Sequence, residues 1–297
     1  MPSASAKAIA IPIRLFGPKK TYASQRATLA EVAALAIRPE SYAPPNRLDR
    51  KVNISVQTVS GWPVYTVSPR GSATARRALF SHGGAWYHQI LSLHWNLIAD
   101  LATSTDTIFT VPIYPLVPVG TAATVIPIIS DLVSELVTQV GPESVTIMGD
   151  SAGGTITLAV AMHRRDHGLP APTRTVLISP ALDLTFTDPA IAETAPRDPL
   201  LAVPGPRAVA ELWRGELAID DPMVSPLHGD LAGLAPITMF SGTRDLLNAD
   251  ARALVRKAEA ADFPVDYHEA PELFHDYPLI LIPEGKAARS VIKELLR

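Results

Sequence analysis

A chain of 297 residues that is 47% hydrophobic and 19% charged has the balance of an ordinary globular protein, with length for one large domain or two small ones. Its formal net charge of −3 gives no electrostatic reason to expect nucleic acid or an anionic membrane as a partner. The absence of cysteine excludes disulfides, thiolate catalysis and cysteine-held metals, and nothing demands an oxidising compartment, so a cytoplasmic address is the expectation.

The apolar run Ala8–Phe16 is interrupted by Pro12 and Arg14 and is followed by no small-residue cleavage site. It reads as a short amphipathic helix packed on the body. Leu29, Val32, Ala33 and Ile37 then recur on one helical face before a stop at Pro44–Pro45. From about Lys51 onward, β-rich apolar runs alternate with helical patterns, which predicts a largely parallel sheet covered by helices. The predicted strands are Val64–Val67, Ala78–Ser81, Thr107–Val111, Ser144–Met148, Arg174–Ser179, Ile237–Ser241 and Pro264–Glu269. The predicted helices between and after them are Leu93–Thr103, Ala123–Val140, Ala152–His167, Ala249–Ala261 and Gly285–Leu296. The stretch Thr107–Ser130 carries no charge and is long enough to span a bilayer, but five Pro and Gly residues divide it into a strand, a turn and a helix start. It reads as buried core, so no stable membrane insertion is expected.

The alternation fails twice, up to about Asn46 and again over about Asp183–His228. The second stretch is proline-rich, with a short helix expected around Arg207–Glu216. A connection that long usually has a function, often as a lid over an active site. The expected architecture is therefore one α/β domain over residues 1–297, capped on the sheet's C-terminal edge by about 1–46 and about 183–228.

The strongest chemical signal is Gly149-Asp150-Ser151-Ala152-Gly153-Gly154, with a strand running into it and a helix running out. That is the setting a nucleophile elbow requires: a turn so sharp that only glycine fits at its flanks, lifting the Ser151 hydroxyl above the sheet edge. An oxyanion forming on a substrate needs preorganised donors. The loop His82-Gly83-Gly84-Ala85-Trp86 follows a strand directly and offers the amides of Gly83, Gly84 and Ala85, to which the helix start adds Ala152. His82 reads as a residue that holds this loop.

A serine nucleophile also needs a base and an orienting acid, in the chain order Ser, Asp or Glu, His. Asp245 sits at a strand's C-terminal end and is preferred to Asp250, inside the next helix, and to Asp262 at that helix's end. His275 follows the last strand and is preferred to His268, which lies within it. His163 and His167 share a helix face, but zinc-hydrolase spacing requires a glutamate where Arg164 stands, so no metal and no cofactor are expected.

With these residues assembled, the sequence resembles the hormone-sensitive-lipase-like branch of the α/β-hydrolase esterases, over most of the chain after about residue 75. The resemblance rests on His82-Gly83-Gly84, on the elbow, on Asp245 and His275, and on Ile113-Tyr114-Pro115-Leu116. It implies a Ser151–His275–Asp245 triad, an oxyanion hole at the two glycine loops and a helical cap. Self-association is common in that branch, which makes a homodimer an expectation. Many members carry a third glycine where this chain has Ala85; with Trp86 and Tyr87 following, the pocket is expected to be narrowed, with Trp213 and the run Pro199–Val203 as further lining. The function expected is hydrolysis of small, short-acyl carboxylic esters. The His-Gly-Gly-x-Trp pattern also resembles arylformamidases acting on N-formylkynurenine, which is the alternative. Non-catalytic hormone receptors on this fold lack the histidine, and retention of His275 argues against them.

Overall fold

The computed structural model describes residues 2–297, and the description that follows concerns these. Eight strands form one sheet in the order β1-β2-β4-β3-β5-β6-β7-β8. They are β1 (Val52–Val59), β2 (Trp62–Pro69), β3 (Arg77–Ser81), β4 (Ile108–Pro112), β5 (Val145–Asp150), β6 (Arg174–Ile178), β7 (Ile237–Gly242) and β8 (Val265–Ala270). The pairs β1–β2 and β2–β4 are antiparallel, and every other pair is parallel. Strand β1, absent from the predicted strands, alternates Val52, Ile54 and Val56 with Asn53, Ser55 and Gln57. It is an edge strand, mostly solvent-facing, where polar side chains also discourage pairing with another chain.

Successive side chains of the central strands serve opposite faces. Leu79 and Ile147 enter a core with helices α5 (Ala122–Val140) and α6 (Ala152–Asp166), whereas Phe80 and Met148 enter another with α4 (Ser92–Thr105) and α10 (Pro283–Leu295). Near-complete burial of such side chains contributes about 1.5–3 kcal/mol each before entropy is counted. Among the described residues α5 is the helix long and apolar enough to cross a membrane. Its stripe of Val125, Ile126, Ile129, Val133 and Leu136 is buried, and the helix packs on α6 and the sheet.

The two exceptions to the alternation meet in part. Helices α2 (Lys19–Tyr22) and α3 (Gln25–Ile37) pack on α8 (Pro204–Arg214), which lies within the second excursion. A short helix, α7 (Pro189–Thr194), precedes α8 and rests on α9 (Asn248–Ala260). Helix α1 (Ala4–Phe16) departs from the expected grouping. Ser3 at its start bonds Glu284 in α10 through both its amide and its hydroxyl, and Ala6 joins the core on the α10 side of the sheet.

Candidate active site

Strand β5 ends at Asp150, and Ser151 follows with φ 51° and ψ −119°, a backbone state that a residue with a side chain adopts only where its surroundings impose it. The turn leaves no room for side chains beside it. A Cβ on Gly153 would lie 2.0 Å from the Ser81 carbonyl oxygen, and one on Gly149 would lie 2.4 Å from the Gly153 oxygen. The tight turn therefore explains the glycine spacing in steric terms.

The parallel strands bring the late loops to the same edge, where open α/β sheets place their sites. Asp245 follows β7 and is fully buried; its Oδ1 accepts the Leu247 amide at 2.9 Å, leaving Oδ2 for His275 Nδ1 at 2.8 Å. His275 Nε2 lies 2.9 Å from Ser151 Oγ. The three side chains form one uninterrupted run of hydrogen bonds, in the sense nucleophile to base to acid.

The rejected candidates lie elsewhere. Asp250 accepts the amides of Leu182 and Asp183 from within α9; burial pushes its carboxyl up to about 8. His268 stays in β8, 2.9 Å from Asp266 and stacked on Phe240. Asp262 is exposed just past α9. The His163 and His167 rings stand 4.0 Å apart at the exposed end of α6.

The glycine loop differs from expectation at one amide. Gly83 N–H donates to Asp150 Oδ1 at 3.0 Å and is committed there. Among the described residues the amides of Gly84, Ala85 and Ala152 have no backbone or side-chain acceptor, and Gly84 and Ala85 line the cavity beside Ser151. His82 holds the loop as expected: its Nδ1 meets the Gly83 carbonyl at 2.6 Å, its ring stacks on Tyr114, and Tyr114 Oη donates to the His82 carbonyl at 2.7 Å. Burial pulls the His82 imidazole down to about 4, which keeps it neutral.

Three pocket expectations are corrected. Trp86 and Trp213 are 2% and 0% exposed, stack on each other at 5.7 Å, and belong to the core beneath α8. Positive φ at Ala85 (49°) and Trp86 (59°) turns the chain there, and the indole ends inside the protein. Tyr87 is likewise buried, edge-on to Tyr22, with its hydroxyl donating to Glu31 at 3.1 Å. The cavity over Ser151, about 350 Å³, is walled by Leu200 and Leu201, from the expected run Pro199–Val203, and by Tyr22, Leu279 and Ile280, with Ala85 and Glu40.

Four polar residues to which the sequence reading gave no role stand at the site. His94, from α4, places Nε2 3.0 Å from Asp150 Oδ2 and accepts the Leu91 amide on Nδ1. Burial works against an anion at Asp150, but His94 and the Gly83 amide outweigh it and hold the carboxyl below its usual range. Asp276 Oδ2 lies 3.1 Å from His275 Nε2, the same nitrogen that faces Ser151, and burial pushes this carboxyl up to about 6. Asp198 accepts the amides of Leu200, Leu201 and Leu246, tying the cavity wall to the loop that carries Asp245; burial raises it to about 6. A charged residue next to a motif serine or histidine was the available signal for Asp150 and Asp276, while nothing local marks His94 or Asp198.

Comparison with known proteins agrees with this fold. The pattern of the alpha/beta hydrolase fold family matches residues 78–279, and the chain belongs to that family. A triacylglycerol lipase of Mycobacterium tuberculosis is 35% identical over 246 residues, which is 82% of this chain and 51% of the lipase. An esterase of Acinetobacter venetianus is 30% identical over 281 residues, 91% of this chain and 92% of the esterase. The chain thus spans about half the length of the first relative and nearly all of the second. Among solved structures, an esterase from the bacterial hormone-sensitive lipase family superposes with a TM-score of 0.81 at 24% identity, over 100% of this chain and 99% of that chain. At that identity the likeness is one of fold.

Proposed function

We propose that the protein is a serine carboxylesterase acting on esters with small acyl groups. The observation that carries this reading is the Ser151–His275–Asp245 run of hydrogen bonds beside amides with no partner of their own. His275 Nε2 takes the Ser151 proton as Oγ attacks the ester carbonyl, and Asp245 orients the imidazole and stabilises its charged form. The amides of Gly84, Ala85 and Ala152 hold the oxyanion. His275 then protonates the leaving alcohol, giving an acyl-enzyme, and activates the water that releases the acid. The names of the relatives, a triacylglycerol lipase and an esterase, point to the same bond.

Two features support a small ester. The cavity, about 350 Å³, is at the low end of the 300–1,000 Å³ usual for ligand sites, and the Ala85 methyl stands at the oxyanion loop. The narrowing expected from Trp86 and Tyr87 plays no part, since both pack behind the wall. The formamidase alternative rests on the His82-Gly83-Gly84-Ala85-Trp86 pattern alone, since the Trp86 indole belongs to the core and not to the pocket. No lysine or arginine lines the cavity among the described residues, so the α-carboxylate of an amino-acid formamide has no lysine or arginine to meet.

The test is an acyl-chain series of p-nitrophenyl esters run beside N-formylkynurenine, with fluorophosphonate labelling of the intact protein. Acetate and butyrate should turn over fastest and the label should sit on Ser151. An unlabelled serine, or a formamide preferred to every ester, overturns the proposal.

A further inference from the structure

The whole-chain charge hides an asymmetry at the N-terminus. Before Glu31 the sequence has Lys7, Arg14, Lys19, Lys20 and Arg26 and no acidic residue. Helix α1 divides these residues by face. Ala6 and Ala10 are buried, whereas Lys7, Ile11, Arg14 and Leu15 are exposed and fall within one helical face at spacings of three, four and one. Ala6, Ala10 and Ile9 thus seat the helix, and its outer face carries Ile11 and Leu15. Ile11 is 61% and Leu15 57% exposed. Isolated exposed apolar side chains are ordinary, but a pair one turn apart, flanked by cations, has the make-up of a helix that lies in a lipid interface.

We propose that the outer face of α1 docks the protein reversibly on an anionic lipid surface. Charge decides the occupant. A second copy laid symmetrically on this face would bring Lys7 and Arg14 against their own kind, whereas anionic headgroups complement both while Ile11 and Leu15 enter the acyl boundary. Lys20, also exposed, lies just beyond the helix and adds to the attraction, while the Lys19 ammonium is occupied by the Ala195 and Asp198 carbonyls. The carboxylate bonded at this helix is Glu284, at the N-terminal end with Ser3.

The position of α1 gives the docking a use. Its end leads into Pro18, which lines the cavity, and its start is tied to Glu284, just after cavity-lining Ile280 and the 70% exposed Leu281. Leu91 and Leu93, which also line the cavity, are 50% and 46% exposed. A lipid surface touching α1 therefore lies beside the cavity opening, and the substrate class becomes short-acyl esters of alcohols that partition into lipid. This last step rests on the esterase reading; the docking itself does not.

The experiment is vesicle co-sedimentation of the full chain, which needs no turnover. Wild type should bind phosphatidylcholine vesicles containing about one-third phosphatidylglycerol, bind neutral phosphatidylcholine much less, and come off in high salt. Each cation near an anionic surface contributes about five-fold, so K7Q/R14Q should lower partitioning roughly twenty-fold. I11S/L15S should also lose binding. Both variants should keep wild-type circular dichroism and wild-type turnover of soluble p-nitrophenyl acetate, which separates lost docking from lost folding. Absent binding, equal binding to neutral vesicles, or binding unchanged in both variants overturns the proposal. So does an oligomer in ultracentrifugation that I11S/L15S converts to monomer, which would assign the face to self-association.

Discussion

Two buried histidine–aspartate pairs flank the elbow, and they differ in what their second nitrogen faces. His275 gives Nδ1 to Asp245 and turns Nε2 to Ser151 Oγ, so a proton can arrive on Nε2 and leave again. His94 gives Nε2 to Asp150, while its Nδ1 accepts the Leu91 amide and has no exchangeable partner. In the proposed mechanism the first pair moves a proton, while the second holds a shape, namely the Asp150 carboxylate that fixes the Gly83 amide. Identical side chains are thus assigned opposite work by one backbone N–H. The consecutive residues Asp150 and Ser151, at the end of β5, supply one contact to each pair.

Removing a proton-moving member should cost far more than removing a holding one. Ser151→Ala should lower kcat by about 10⁶, with unchanged melting temperature. Loss of less than about 10³ would place the nucleophile elsewhere. Asp245→Asn should lower kcat by about 10⁴, because an amide can hold His275 in the wrong tautomer without stabilising its cation. Both are read from steady-state kinetics on p-nitrophenyl butyrate.

Substitution at His94 sharpens the contrast. His94→Ala removes a hydrogen bond to a buried carboxylate, an interaction of about 1.5–3 kcal/mol, and should lower kcat roughly ten- to hundred-fold as the Gly83 loop loosens. His94→Gln should recover much of that loss, since a carboxamide supplies one acceptor for the Leu91 amide and one donor for Asp150. His275→Gln should recover nothing, since a carboxamide cannot accept the serine proton. If the glutamine rescued both positions or neither, the division between moving and holding would fail.

Legibility in the sequence follows the same division between local and assembled features. The elbow is a local steric demand, so the glycines around Ser151 announce it without the fold. Asp245 and His275 were recoverable because strand ends in a parallel sheet share one edge, which needs only topology. The Gly83 amide was misread because its partner Asp150 is 67 residues away in sequence, and an amide's direction has no signature in residue type. Trp86 looked like pocket lining because composition does not reveal that φ turns positive at Ala85 and Trp86. Strand β1 does carry the apolar alternation of Val52, Ile54 and Val56, a signal the sequence reading passed over, and α1 was grouped with α3 although Ala6 and Ile9 seat it on the α10 side.

The smallest expected effect concerns Asp276, whose carboxylate stands in direct contact with His275 at 3.1 Å. Burial opposes a charge on His275, but the Asp245 and Asp276 carboxylates outweigh it and raise the imidazole well above its ordinary 6.5. Attack by Ser151 needs His275 neutral, so kcat/KM should rise with pH through that raised value. Asp276→Asn removes one of the two anions while keeping the side chain's size and its left-handed backbone, φ 54°, which asparagine also tolerates. The imidazolium then loses stabilisation, its pKa falls, and the acidic limb of the pH profile should move to lower pH. The high-pH plateau should change little, because Asp245 still orients the ring. A limb that stays in place, measured over the pH range where circular dichroism shows the fold intact, would mean that the 3.1 Å contact between Asp276 and His275 carries no electrostatic weight in the working enzyme.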